Sequence, residues 1–145
     1  MPEEPHPNLL TYLAAIDAFN RNDVAAVGEY VRPDFVYRIP GRSSIAGEFR
    51  GIDGFIEALT RLREASAGTI HLEPMAVLAD DENLIARARV TAERGAHRLN
   101  TENCYAFRFV DGKVADGQVF LSEPDRVEDF WATTNEPGDD GGTSQ

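Results

Sequence analysis

The chain has 145 residues, 42% of them hydrophobic, enough for one domain with a proper buried core. Its net charge is −11, from 14 basic and 25 acidic residues, and setting aside Glu3, Glu4, Glu136, Asp139 and Asp140 near the ends still leaves the body at −6. An acidic body with no basic stripe speaks against a nucleic-acid partner and against an anionic membrane surface, and no apolar run approaches the length of a membrane span.

Residues 1–7 hold three prolines and two glutamates and read as a flexible arm. Asn8 is a helix cap, and Leu9, Tyr12, Leu13, Ile16 and Phe19 follow at helical spacing. Asn22-Asp23 marks a break and a second cap. A shorter helix runs through Val24, Val27 and Tyr30 and ends at Pro33-Asp34. Phe35 to Ile39 reads as a strand, stopped by Pro40-Gly41, and residues 40–51 read as a loop. Asp53 caps a third helix with Phe55, Ile56, Leu59 and Leu62 as its apolar stripe, closed by Gly68. From Thr69 the pattern switches to strands: Thr69 to Leu78, Leu84 to Glu93, Arg98 to Val110 and Lys113 to Leu121. Pro124 then opens a short helix carrying Val127, Phe130 and Trp131. Residues 8–134 form one domain, and residues 135–145 have the composition of a disordered acidic tail. Helices first and a long antiparallel meander afterwards make the fold class α+β.

Gly95-Ala96 predicts a tight hairpin with Arg94 opposite His97. Glu93 then faces Arg98 and Arg89 faces Glu102, two opposite-charge pairs on one face. The other face pairs Ala88 with Asn103 and Ala86 with Tyr105. Large polar side chains opposite methyl groups leave a gap lined with hydrogen-bonding groups, which is what a small-molecule pocket needs.

The element order, the stretch Phe107-Arg108-Phe109-Val110-Asp111-Gly112-Lys113-Val114 before the last strand, and the segments Asn20 to Asp23 and Gly47 to Gly51 resemble one superfamily. It is the nuclear transport factor two-like superfamily, and within it the SnoaL-like, ketosteroid-isomerase-like branch. The resemblance covers roughly residues 8–131. It implies a cone-shaped, curved, mostly antiparallel sheet wrapped around N-terminal helices (a cystatin-like α+β barrel), enclosing an apolar pocket. It also implies a homodimer through the outer sheet face, here Arg87, Arg89, Thr91, Glu102, Cys104, Ala106 and Arg108. A solvated face reads the same residues equally well. Because the superfamily holds isomerases, dehydratases, cyclases, epoxide hydrolases and binding proteins, fold alone does not choose a chemistry.

Known chemistries can be tested position by position. Where ketosteroid isomerase has its helix Tyr, its base and its protonated Asp, this chain has Ala15, Ile39 and Tyr105. Where limonene epoxide hydrolase has its last-strand Asp, this chain has Val119, and Ala86, Ala88 and Val90 offer no inward Arg-x-Asp. Neither mechanism fits. The histidines that scytalone dehydratase uses have no counterpart, since His6 lies in the arm, His97 beside a turn and His71 near a strand start.

One hairpin decides whether a carboxylate enters the pocket. If Asp111-Gly112 is a two-residue turn, Val110 faces Lys113 and Asp116 and Gln118 point inward beside Tyr105. If the loop has three residues with Gly112 in a bulge, Phe109 faces Lys113, and Ala115, Gly117, Val119 and Leu121 point inward. The second version packs better and agrees with the superfamily pattern.

The catalytic candidates are Tyr105, Asn103 and, only if inward, Asp116. The substrate-binding candidates are Tyr37, Phe35, Tyr12, Phe19, Phe107, Gly117, Val119 and Trp131. Tyr105 suits donation to a carbonyl or developing oxyanion, and its plain alternative is a core tyrosine bonded to backbone. Asn103 suits orienting a ligand or simply satisfying a strand end. The aromatic residues suit pocket walls or ordinary core, and Phe130 with Trp131 suits closing a mouth or docking a helix. Arg38 and Arg50 suit an anionic ligand or a solvated surface. No metal-ligand cluster, phosphate loop or Ser-His-Asp pattern appears, so no cofactor or metal is expected. Cys104 is the only cysteine, which with the lack of a signal-like N-terminus points to the cytoplasm. Together these features lead to a pocket for a small hydrophobic or aromatic compound, serving a cofactor-independent cyclase, dehydratase or isomerase. The alternatives are a sequestering protein and a dimeric interaction module.

Overall fold

A computed structural model of the chain describes residues 4–132. The predicted acidic tail, 135–145, lies outside the described residues. The elements run α1 (Pro7–Asn20), α2 (Val24–Val27), a 3-10 turn (Gly28–Tyr30), β1 (Val31–Ile39), β2 (Gly47–Arg50), α3 (Gly51–Ala65), β3 (His71–Ala79), β4 (Asn83–Arg94), β5 (His97–Val110), β6 (Lys113–Leu121) and α4 (Pro124–Ala132). One six-stranded sheet holds all strands in the order β2-β1-β6-β5-β4-β3. Every pair is antiparallel except β1 with β6. This is the α+β, mostly antiparallel curved sheet with helices that the sequence pattern implies.

Helix α1 starts two residues earlier than a cap at Asn8 implies. His6 is its cap, with Nδ1 accepting the Asn8 N–H at 3.0 Å and Nε2 standing 2.8 Å from Asp81 Oδ1. Asn8 lies inside the helix instead, and its buried amide donates to the carbonyls of Asp80 and Asp81. That ties the start of α1 to the β3–β4 turn. Asp23 does cap α2, its carboxylate accepting from the Ala26 N–H.

Three expectations between residues 28 and 53 are corrected. The helix after Asp23 does not extend to Pro33-Asp34. It ends at Val27, a 3-10 turn follows, and β1 begins at Val31 and runs through Pro33. Pro33 is tolerated because the ladder to β6 is irregular between Val31 and Val36, where a missing N–H costs no hydrogen bond. The predicted loop 40–51 contains β2, which pairs Phe49 with Tyr37 and Gly47 with Ile39. Asp53 is not a cap. Arg50 holds that position without a side-chain bond, and Asp53 sits in the first turn, where its charge favours the helix dipole.

Helix α3 ends at Ala65, and the chain reverses through Ala67 and Gly68, both left-handed at φ 53° and 79°. Arg63 fixes the reversal. Its guanidinium donates to Ile70 O at 2.7 Å, Gly68 O at 2.9 Å and Asn22 Oδ1 at 3.1 Å, and stands over the Phe19 ring. This turn delays β3 to His71 rather than Thr69.

The β4–β5 register is the one the charges dictate: Arg94 opposite His97, Glu93 opposite Arg98, Arg89 opposite Glu102, Ala88 opposite Asn103 and Ala86 opposite Tyr105. Arg89 Nη2 reaches Glu102 at 3.0 Å on the outer face. The β5–β6 hairpin combines features of both predicted versions. Its turn has two residues, Asp111 and Gly112, both left-handed, with Val110 opposite Lys113, so the three-residue loop does not form. The ladder then slips: Phe109 pairs with Val114 but Arg108 pairs with Asp116, leaving Ala115 as an extra, buried residue. Beyond that bulge Gly117 and Val119 are buried and Asp116 points outward, its carboxylate 2.8 Å from Arg108 Nε.

The concave face of the sheet carries Phe35, Tyr37, Ile39, Leu84, Ala86, Ala88, Val90, Tyr105 and Val119, all buried. Helices α1 and α3 pack into it with Tyr12, Phe19, Phe55, Ala58 and Leu59. Helix α4 closes one end with Val127, Phe130 and Trp131. Arg94 Nη1 donates to Trp131 O at 2.8 Å, and the Glu128 carboxylate accepts the Arg42 N–H at 3.1 Å, so α4 is held by both β4 and the β1–β2 loop.

Candidate functional site

Two rows of the sheet build the floor of an internal cavity. One runs Phe49–Tyr37–Gly117–Phe107–Leu84, in register across β2, β1, β6, β5 and β4. The next places Val119 beside Tyr105 and Ala86. Gly117 carries no side chain, so the rings on either side lean over it. Tyr37, Phe107 and Tyr105 form a parallel series, with centroids 6.3 Å apart and interplanar angles of 2° and 1°. Tyr12 joins from α1, its centroid 5.9 Å from Phe107, and Phe35 and Phe55 pack edge-on at 4.6 Å behind Tyr37.

These rings bound a cavity of about 120 Å³. That is of the order of the ~150 Å³ apolar cavity that admits a benzene ring. Its walls are apolar apart from Thr11, Tyr12, Tyr30, Tyr37, Asn103 and Tyr105. Among the described residues, no Asp, Glu, His, Lys, Arg or Cys lines it. Two arginines stand behind its walls, Arg63 over Phe19 and Arg94 over Trp131, at 5.1 and 5.7 Å from the ring centroids. Desolvation lowers the pKa of each.

The phenols are held neutral. Burial pushes Tyr105 up to about 12, opposed by a side-chain hydrogen bond from Asn103 that favours the ionised form. Burial raises Tyr12 and Tyr37 further, and each is also raised by the neighbouring Tyr105. Two side-chain oxygens on the cavity, Tyr12 Oη and Asn103 Oδ1, are buried without any hydrogen-bond partner among the described residues.

Of the candidates, Tyr105, Asn103, Tyr37, Phe35, Tyr12, Phe19, Phe107, Val119 and Trp131 all line this cavity. Gly117 lies beneath the rings rather than on the wall. Asp116 fails its condition of pointing inward, because the bulge at Ala115 turns it to Arg108. Phe130 packs edge-on against Trp131 and stays off the wall. Arg38 and Arg50 are exposed and pair with Glu48. His6 caps α1, while His71 and His97 are exposed on the sheet rim. Ala15 and Ile39 are also on the wall, as apolar surface. Residues not anticipated include Thr11 and Ile16 on α1, Leu59 and Leu62 on α3, Leu99 on β5 and Val127 on α4. Ile16, Leu59 and Leu62 were legible as members of helix stripes and Thr11 was not; which stretch of stripe meets a void was not legible either.

The SnoaL-like domain model matches residues 12–117. The chain belongs to the SnoaL-like domain family. An uncharacterized protein of Mycobacterium tuberculosis (strain ATCC 25618 / H37Rv) is 30% identical over 116 residues, covering 79% of this chain and 88% of that one. Among solved structures, Bal32a from a soil-derived mobile gene cassette is 32% identical, with a TM-score of 0.82, covering 86% of this chain and 96% of that chain. A protein of unknown function with a cystatin-like fold from Xanthomonas campestris is 20% identical, at TM-score 0.79 over 87% of this chain and 98% of that one. TerC, co-crystallized with polyporic acid, is 17% identical, at TM-score 0.77 over 88% of this chain and all of that one. The last two show the shared fold alone. Within the SnoaL-like domain no helix is long and apolar enough to cross a membrane, and no group of three or more metal-ligating side chains comes together, among the described residues.

Proposed function

We propose that this SnoaL-like domain holds a small, uncharged, largely apolar ring compound in the cavity between α1, α3 and the concave sheet face. One observation carries the reading. The cavity wall is mostly aromatic and aliphatic, and among the described residues none on it is an acid, an imidazole, a lysine or an arginine. An ionised ligand would be stripped of water with no countercharge to receive it, whereas an apolar one gains from each Å² buried. A fold neighbour, TerC, was crystallized with polyporic acid, which supports a ligand-holding fold and does not bear on the ligand's charge. The test is to titrate the full chain with apolar ring compounds and follow the indole N–H resonance of Trp131. It is the one tryptophan in the sequence, and it lines the cavity. Saturable shifts for neutral compounds and none for their anions support the reading. Indifference to all of them sinks it.

A second reading, cofactor-independent catalysis of a cyclisation, dehydration or isomerisation, is favoured by Tyr105 on the cavity wall. Burial keeps its phenol protonated, so its O–H suits donation to a carbonyl oxygen gaining negative charge. With no base on the wall, such an enzyme works by positioning and polarisation, not by proton abstraction. Loss of turnover in Tyr105→Phe with binding retained would mark the enzyme. Native mass spectrometry of gently purified protein reports any retained compound and the subunit count together. We also carry a homodimer through the outer sheet face, where Ile85, Leu78 and Phe120 are exposed beside the Arg87–Glu102–Arg89 cluster. Exposed, unpaired Cys104 suits a reducing cytoplasm.

A further inference from the structure

We propose that Asn103 Oδ1 and Tyr12 Oη form the polar end of the cavity and select a neutral ring compound that carries a hydroxyl or N–H donor. The inference rests on the reading that the cavity holds a ligand, and it names the chemistry that ligand must have. Asn103 and Tyr12 are 8% and 6% exposed and approach from opposite walls, β5 and α1. Neither oxygen has a partner among the described residues. Buried polar atoms are nearly always paired, because an unpaired one forfeits its hydration. Two such atoms on one cavity mark where a ligand's polar groups belong.

The direction of the bonds follows from the atoms left without a partner. On Asn103 that atom is the amide oxygen, Oδ1. A carbonyl oxygen only accepts, so the ligand must donate. Tyr12 keeps its proton, since burial and Tyr105 both oppose its ionisation, and its O–H can give to a ligand oxygen. A hydroxyl has the chemistry for either oxygen: it donates to an acceptor such as Asn103 Oδ1 and accepts from a donor such as Tyr12 Oη. An ether or methyl ether accepts but cannot donate. A carboxylate or phenolate has no proton for Asn103 and finds no cation on the wall. The site therefore discriminates by protonation state and by a single donor, with the aromatic walls tolerant of ring shape.

The experiment compares four matched probes on the full chain: 2-naphthol, 2-methoxynaphthalene, naphthalene and the anion 2-naphthoate, read at the Trp131 indole resonance. Naphthol is expected to bind roughly tenfold more tightly than its methyl ether, the scale of one hydrogen bond made in a buried site. Naphthoate is expected to bind most weakly. In Asn103→Leu the naphthol-to-ether ratio falls to about one while naphthalene binding persists. Tyr12→Phe provides a second variant should Asn103→Leu not fold; it lowers naphthol affinity severalfold and leaves naphthalene unchanged. Equal binding of naphthol and its ether by the unmodified chain overturns the donor requirement and leaves the apolar-cavity reading standing. Failure of all four probes overturns both.

Discussion

The Phe107 ring occupies the space where Gly117 would carry a Cβ: such an atom would lie 2.6 Å from two Phe107 ring carbons and 3.1 Å from Tyr37 Cδ1. Gly117 is paired to Tyr37 on one side and Phe107 on the other, so both rings of the cavity floor depend on its bare backbone. Gly117→Ala is expected to cost about 1–3 kcal/mol, the scale of overpacking a buried site. Urea denaturation checks it, with the midpoint falling and the slope unchanged. Full stability in the variant would mean the rings shift freely.

Asp116→Asn removes only an outward ion pair with Arg108, in which both side chains are more than one-third exposed. Its expected stability effect is below about 1 kcal/mol. Ligand binding and any turnover should be unchanged, measured side by side with Tyr105→Phe. Loss of either function in Asp116→Asn would place the carboxylate inside and refute the bulge at Ala115.

Alkaline pH should destabilise the fold through its phenols. Tyr105 titrates near 12 when folded against 10.0 when free, and Tyr12 and Tyr37 are raised as well. Between those values the unfolded chain has lost protons that the folded chain keeps, so stability falls as pH rises. The contribution is fully present below about pH 10 and is lost toward pH 12. Thermal melts from pH 8 to 12 read it directly, and Tyr105→Phe should show the shallower decline. A melt independent of pH above 10 would mean the phenols are not buried.

Arg63→Met is expected to destabilise by about 3 kcal/mol, because the carbonyls of Ile70 and Gly68 and the Asn22 amide oxygen all lose a charged donor. Chemical denaturation gives the magnitude. Hydrogen exchange should localise the loosening to residues 63–71, where α3 hands over to β3. A variant as stable as the parent would show that water replaces the guanidinium without cost.

Much of the fold was legible because the signals were local. The charge pairs Glu93 with Arg98 and Arg89 with Glu102 set the β4–β5 register, and the ladder follows them through all twelve residues of β4. Strand β2 was not legible. Its four residues open on Gly47 and run into Gly51, carry no strand signature, and are ordered by pairing with β1. The cap of α1 was missed because Asn8 is the better capping residue in isolation, yet its amide is drawn to the β3–β4 turn, seventy-odd positions away, leaving the cap to His6.

The sequence by itself determined the α+β order, the β4–β5 register and the aromatic set from which the cavity is made, since each follows from spacing, charge or turn chemistry along a short stretch. Only the tertiary structure decided which face of β6 looks inward. Asp111-Gly112 forms the two-residue turn its composition favours, and by itself that turn would aim Asp116 at Tyr105. The extra residue at Ala115 undoes this, burying Val114 and Ala115 together and turning Asp116 to solvent. A small apolar residue fits a bulge or a regular ladder equally well. The choice fell to the rest of the sheet, where Gly117 must lie between Tyr37 and Phe107 and a buried carboxylate would have stood without a partner.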